Sequence, residues 1–429
     1  MRISKESFKL LMYKIFDYPV YKFNIWSLLV MRNYILIFIF RKKFLLHYEK
    51  YYRNRIIAKV SCGSLGETFM GFQGVIRYCL INNIQLRDVT VVVNKKTVTN
   101  LTLFKLYERK LTISDDSLFY WLLSFGGSLL YKKSLFIDQQ ELWDISGEIL
   151  TSADKIPPLE FTTGEIEYGN ELLKSLGIEE DDDVVAVHYR DNYYYTERNH
   201  DDSRNIYRNS LIDNLVISIE YLKKKGYKVV LWGSYDQSIE ESYLSAINMS
   251  KYDRDFFDIF IASRASFCIT GNSGPCMIPQ LFGVDVIIHN SNWYSINNFV
   301  RTGISNSVFI MKNCLYNGAH AGIDKLFSRY YYRIEKRVFK GMLRKKRYIG
   351  EDNRLMGLFQ KIDNTSDQIL SVVKDITNFR SIEKMQELTK EKYINGADAF
   401  MEISERPHVR SYNLLLLKSQ CDSVLLQKQ

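Results

Sequence analysis

The residue types best suited to chemistry sit in Thr270-Gly271-Asn272-Ser273-Gly274-Pro275. An apolar run from Ser266 to Thr270 leads into them, and a second, Val284 to His289, follows Gly283. Pro275 suits the first turn of a helix, where its fixed φ is already helical. The spacing predicts strand, glycine loop, helix, strand. Backbone N–H groups at such a helix N-terminus favour a phosphate or pyrophosphate. A plain tight β-to-α turn would use the same glycines.

Three further constellations follow the same logic. His188-Tyr189-Arg190-Asp191 comes straight after a Val-rich strand, where residues face the ligand crevice of a parallel sheet. Arg190 has the planar fork that grips a diphosphate, and His188 could orient a phosphate or a sugar hydroxyl. A strand-end histidine bonded in the core and an Arg190–Asp191 pair would explain the same residues. Arg208 and Asn209, near the next helix, could hold donor phosphates or merely fix their loop. Ser61-Cys62-Gly63-Ser64-Leu65-Gly66-Glu67 is the corresponding strand-to-helix loop earlier in the chain. A carboxylate there could take the proton of an attacking hydroxyl, and a helix dipole alone would also favour it.

These loops need strands and helices to hold them. Strands are expected over 55–60, 88–94, 184–188 and 228–232, with helices over 67–82, 165–176 and 209–225. More helices are expected from about 238 and 255, and over 368–376. Strands alternating with helices imply parallel sheets covered on both faces. Pro157-Pro158 amid Thr and Ser reads as a linker over 151–164. The expected divisions are a basic aromatic segment at 1–50, a first α/β domain at 51–155, a second at 165–325, and a basic, mostly helical extension at 326–429.

Charge is unevenly spread over the 429 residues. The net charge is +9, yet residues 1–59 alone hold thirteen Lys and Arg against three acids. Their apolar runs are broken by Arg32 and are shorter than the roughly 20 residues a spanning helix needs. The pattern reads as contact with an anionic membrane surface, or as a helix hairpin packed on the first domain. Residues 329–347 add nine basic side chains against Glu335. No zinc finger, RNP motif or helix-turn-helix signature accompanies them, so nucleic acid is not the expected partner. Six scattered cysteines and six histidines show no metal-ligand spacing. No metal and no cofactor is expected, and a reducing cytoplasm fits. Asp253-Arg254-Asp255 has an Asp-x-Asp spacing but reads as a cap before a helix.

The glycine loop with Phe282-Gly283-Val284 resembles the donor-binding loop of the ADP-heptose:lipopolysaccharide heptosyltransferases. A wider series runs His188-Tyr189-Arg190-Asp191, Tyr207-Arg208-Asn209, Gly226-Tyr227, Asp258-Ile259-Phe260-Ile261-Ala262 and the loop. It resembles a bacterial family of surface-polysaccharide glycosyltransferases and covers about residues 56–310. The resemblance implies a GT-B fold, two Rossmann-like domains with a nucleotide-diphosphate sugar held mainly by the second. It implies donor contacts from Arg190, Arg208, Asn209, Gly271, Asn272, Ser273 and Gly274, and an acceptor loop at Gly63, Ser64 and Gly66. Glu67 stands where the heptosyltransferases have an Asp thought to be the general base, and His188 is the next candidate. The implied activity is metal-independent transfer to a cell-surface polysaccharide or lipid-linked glycan at the inner face of the cytoplasmic membrane. A fucosyltransferase-like site for GDP-fucose, and a non-catalytic membrane scaffold, are the competing readings. In GT-B enzymes a late helix commonly crosses back to the first domain.

Overall fold

The computed structural model describes residues 45–124, 136–137, 159–191, 193, 209–233, 243–245, 249–291, 307–316, 319–320, 359–382, 384–385, 393–395 and 414–417. The segments 1–44 and 329–347 lie outside them, as does Arg208.

The fold is α/β, built on two parallel sheets. The first has strands β1 (Ile56–Lys59), β2 (Val89–Val93), β3 (Thr112–Asp115) and β4 (Phe136–Ile137) in the order β3-β2-β1-β4, with every pair parallel. Its helices are α1 (Leu65–Ile81), α2 (Leu101–Glu108) and α3 (Ser117–Ser124). Helix α4 (Thr163–Ser175) leads to the second sheet, opened by a capping box between Thr162 and Glu165. That sheet contains β5 (Val184–His188), β6 (Lys228–Leu231), β7 (Leu244–Ser245), β8 (Phe267–Gly271), β9 (Asp285–Ser291) and β10 (Ser307–Met311). Helices α5 (Asp213–Lys224) and α6 (Lys251–Arg264) belong to it. A small antiparallel sheet joins β11 (Asn313–Tyr316), β12 (Ala319–His320) and β13 (Phe359–Ile362). Helix α7 (Ser366–Phe379) and strands β14 (Tyr393–Asn395) and β15 (Leu414–Leu417) complete the described elements. The large sheet runs β14-β15-β10-β9-β8-β5-β6-β7, and within it only β14 pairs antiparallel.

Side chains alternate between faces along each strand, and the alternation builds the layers. Ala58, Val91 and Val93 of the first sheet share one buried cluster with Val184, Ala186, Cys268, Val286 and Ile288 of the second. Helices α1, α2, α4 and α6 fill it, through residues such as Phe72, Phe104, Leu173 and Phe260. The alternate residues, Val185, Val187, Ile269 and Ile287, pack outward on Leu215, Ile219 and Leu222 of α5 and on Ile369, Val372 and Val373 of α7. Ile57 and Val92 face outward onto Tyr48, Tyr52 and Phe119. One helical layer is thus shared by both sheets. Asn100, capping α2, ties the halves by donating to the Asp255 carbonyl at 2.7 Å.

Several expected elements differ. Residues 274–282 form two 3-10 turns, Gly274–Met277 and Pro279–Phe282, rather than one helix. Pro279 has no N–H to donate back to Pro275, so a continuous α-helix would lose that bond. Asp253-Arg254-Asp255 lies inside the first turns of α6, and Ser250 is the cap. Near the helix expected from 238, the described residues Leu244–Ser245 are a strand on the sheet edge. Helix α7 packs on α5 of the second sheet and does not cross to the first domain, because its apolar stripe matches that of α5. The tail, expected to be helical, supplies strands β14 and β15. Leu414-Leu415-Leu416-Leu417 is a short apolar run whose type periodicity alone does not fix.

The shared layer is tight. A Cβ on Gly169 of α4 would stand 2.4 Å from the Phe260 ring of α6. Gly169→Ala should therefore cost about 1–3 kcal/mol through overpacking, despite the better helix propensity of alanine. Urea unfolding is the measurement, and a variant as stable as wild type would show that the layer yields.

Candidate functional site

The polar residues gather at the carboxyl edge of the second sheet. Strand β5 ends in His188, opposite Thr270 of β8, and Gly271 lies opposite His289 of β9. His188, Arg190, Thr270, Asn272, Ser273, His289, Asn290 and Ser291 are all buried. This edge therefore brings together His188 and the whole Gly271–Gly274 loop. The Ser273 Oγ lies 3.4 Å from His188 Nδ1.

Arg190 is only 7% exposed and donates through Nη1 to the Asn209 Oδ1. The Asp191 carboxylate accepts from the Tyr193 N–H at 2.9 Å. The Ser210 N–H donates to the Arg190 carbonyl at 2.8 Å, which draws residues 209–210 against the end of β5. Gly271 fits beneath them. A Cβ there would lie 3.4 Å from Ser210 Oγ and 3.5 Å from the Arg190 nitrogen. Arg190, Asn209 and Gly271 thus form one cluster.

Ser64 caps α1 by accepting the Glu67 N–H at 3.2 Å, which makes Glu67 the third residue of the helix. The Glu67 Oε2 accepts from the Ser61 hydroxyl at 2.8 Å. An ionised carboxylate has room for about four hydrogen bonds, so this one leaves acceptor capacity. The loop meets the second sheet directly. A Cβ on Gly274 would be 2.7 Å from the Gly66 nitrogen, and one on Gly66 would be 3.1 Å from the Gly274 Cα. Gly63 is exposed beside the Glu67 carboxylate.

Sequence reasoning passed over part of this edge. Trp232, just past β6, is fully buried and its ring lies 5.5 Å from that of His188. His289 is fully buried, and neither ring nitrogen finds a hydrogen-bond partner among the described residues. The Asn290 N–H donates to Asn364 Oδ1 and the Asn364 N–H to Asn290 Oδ1, at 2.6 and 2.7 Å. Asp258 accepts the Gly233 N–H at 3.0 Å. The usable signal was a polar residue closing an apolar run, which Trp232, His289 and Asn290 all satisfy.

Burial sets the charge states. Desolvation, with the Arg190 charge nearby, lowers the His188 pKa from 6.5 to about 3. Desolvation, then His188 and Lys312, lowers His289 likewise to about 3. Desolvation lifts the Asp258 carboxyl to about 7, against the pull of the Gly233 N–H. At neutral pH both imidazoles are therefore neutral, His188 near the Arg190 guanidinium and His289 near Lys312. Among the described residues, no three His, Cys, Asp or Glu side chains are grouped to hold a metal ion. No helix among them is long and apolar enough to cross a membrane.

No family model and no curated relative matches the chain. Solved structures do resemble it. A glycosyl transferase family 9 protein from Veillonella parvula is 12% identical, over 75% of this chain and 96% of its own, with a TM-score of 0.43. The E. coli ADP-heptose lps heptosyltransferase II is 11% identical over 54% of this chain and 83% of its own, TM-score 0.32. The E. coli heptosyltransferase WaaC, solved with ADP, is 10% identical over 59% and 92%, TM-score 0.32. Likeness of that degree assigns no residue.

The two buried histidines predict a pH response. Their folded pKa values lie below the unfolded value near 6.5, so the unfolded chain binds more protons as pH falls below about 6.5. Between pH 7 and pH 5 stability should fall by on the order of 1–2 kcal/mol for each histidine. Urea unfolding at both pH values should show a smaller loss for His289→Gln than for wild type. Equal losses would mean that His289 is protonated in the folded protein.

Proposed function

We propose that the protein is a glycosyltransferase that moves a sugar from a nucleotide-diphosphate donor to a glycan or lipid-linked acceptor. The observation that carries the reading is the contact of Gly66 with Gly274. It sets a loop bearing a carboxylate from one sheet against the buried polar edge of another, which is the arrangement a two-substrate transfer needs. The sequence series from His188 to the glycine loop supports the same chemistry, and its His188, Arg190, Asn209 and Gly271–Gly274 lie together at that edge.

In this reading Arg190, oriented by Asn209, binds the donor diphosphate, and the backbone N–H of Gly274 adds a donor, while the Ser273 N–H holds the loop by donating to the Gly271 carbonyl at 2.8 Å. The 3-10 turns give no long helix dipole, so the guanidinium carries most of the charge stabilisation. Glu67 accepts the proton of the acceptor hydroxyl. The oxygen bonds to the anomeric carbon as the bond from that carbon to the diphosphate breaks, and the diphosphate leaves with the electron pair. Gly63, Ser64 and Gly66 line the acceptor side. Arg208 belongs to the same proposal from its place in the sequence series. The burial of Arg190 favours a binding role over a non-catalytic scaffold, whose arginine would have no reason to be desolvated.

Calorimetry with ADP, UDP and GDP tests the donor site. Arg190→Ala should weaken the bound diphosphate by about 2–4 kcal/mol, and Arg190→Lys should recover only part. Glu67→Gln should keep that affinity and slow turnover by about 10²–10⁴-fold. Unchanged affinity in Arg190→Ala would remove it from the site, and turnover within a few-fold of wild type in Glu67→Gln would leave Glu67 a role in the helix dipole alone.

The basic, aromatic segment at 1–50 supports a further part of the proposal, attachment to the anionic inner face of the cytoplasmic membrane. The full chain should sediment with anionic vesicles at low salt and be released at high salt. Its failure to sediment at low salt would make the segment a packing element.

A further inference from the structure

Three adjacent strand ends of the second sheet carry polar side chains at one level. The pairing of Val187 with Leu231 continues to His188 and Trp232, whose N–H donates to the Val187 carbonyl at 3.1 Å. His188 is in turn opposite Thr270. Strand alternation puts all three on one face. Val230 and Trp232, Ala186 and Cys268 belong to the cluster shared with the first sheet, and His188 and Thr270 follow two residues after the last two. The row Trp232-His188-Thr270 thus faces the first sheet, whose Gly66 touches Gly274 four residues beyond Thr270.

The row is buried but not satisfied. Trp232 and Thr270 are fully buried, and neither the indole N–H nor the threonine hydroxyl has a hydrogen-bond partner among the described residues. Such groups cost stability unless something bonds them. His188 has Nδ1 toward Ser273 and its other edge against Gly233. Gly233 has φ +97°, and a Cβ there would strike the ring at 2.7 Å, so only glycine lets the chain pass this close to the imidazole.

Resting on the donor-site reading above, we propose that Trp232, His188 and Thr270 form the subsite that hydrogen-bonds the hydroxyl groups of the transferred sugar. The chemistry selects a polyhydroxyl over an anion. The row offers a pure donor, a hydroxyl that donates and accepts, and an imidazole held neutral by burial, with no cation among them. The cation, Arg190, lies two residues past His188 and is left for the phosphates. Position selects the sugar over the nucleoside. The group being transferred must lie between the diphosphate and the acceptor, and this face is the one turned to the Ser61–Glu67 loop.

Two variants test it, Thr270→Val and Trp232→Phe. The first removes the hydroxyl at nearly constant shape, and the second removes the indole N–H together with part of the ring. Calorimetry would compare UDP with UDP-glucose, GDP with GDP-mannose and ADP with ADP-glucose, and heating would give Tm. Both variants should bind the free diphosphate about as wild type does and the matching sugar nucleotide roughly tenfold more weakly, about the value of one hydrogen bond. Tm should hold or rise in Thr270→Val, since an unpaired buried group has gone, and fall in Trp232→Phe, whose smaller ring leaves a cavity. If both ligands weaken equally, or neither weakens, the row serves bound water or packing and the subsite is overturned while the donor site stands. Wild type binding none of the six would overturn the donor site itself. Should Thr270→Val not fold, Trp232→Phe alone decides.

Discussion

Two backbones can touch only where neither carries a side chain, and Gly66 against Gly274 is such a place. The first sheet delivers the N-terminus of α1 to that point, and the second delivers the loop after β8. Everything else in the core is compatible with this approach because the helices between the sheets serve both at once. An interface between independent domains would be smaller and more polar, and would allow the halves to swing apart. Here a continuous apolar layer fixes the distance between the two loops, and the polar groups of the site can remain on rigid strand ends.

That rigidity explains how a buried edge tolerates so many polar atoms. Asn209 accepts from the Arg190 guanidinium, and the chain around Ser210 closes over it. His188 and His289 give up their charge. With Lys312 paired to Asp363 at 2.5 Å, the Arg190 guanidinium among neutral groups makes a selective field. It favours a ligand that is anionic at one end and merely polar at the other, and a sugar diphosphate has that form. The broken helix after Gly274 sharpens the point, because side chains rather than a macrodipole must supply the positive potential.

Much of this was readable from the sequence. The strand over 184–188 and the polar cap that follows it were plain, because a Val-rich run has one sensible structure beside a glycine turn. That the residues after β5 and the Gly271–Gly274 loop share one sheet edge was expected from parallel topology, while Asn209 was joined to them through the resemblance. The sequence misled where local signals have two readings. Pro275 marks a helix start, but Pro279 four residues later forbids its continuation. Asp253 resembles a cap, yet Ser250 reached the position first. Trp232 and His289 looked like ordinary strand residues, since only the register of neighbouring strands reveals that they border the same edge as His188. The crossing helix expected from resemblance was decided by packing, through the match of α7 to α5.

The order of strands in the large sheet differs from their order in the chain, and this bears on how the protein is made. Strand β10 is flanked by β9 on one side and by β15 on the other, and β15 lies about a hundred residues later. While the ribosome is still adding those residues, Val308 and Phe309 sit in a strand with one open side, the kind of surface that recruits other chains. The reciprocal bonds of Asn290 and Asn364 form earlier in synthesis and bring α7 onto the sheet. They leave the edge beside β10 to be closed last, so a nascent chain stalled before Leu414 would emerge with its polar edge assembled and its flank still adhesive.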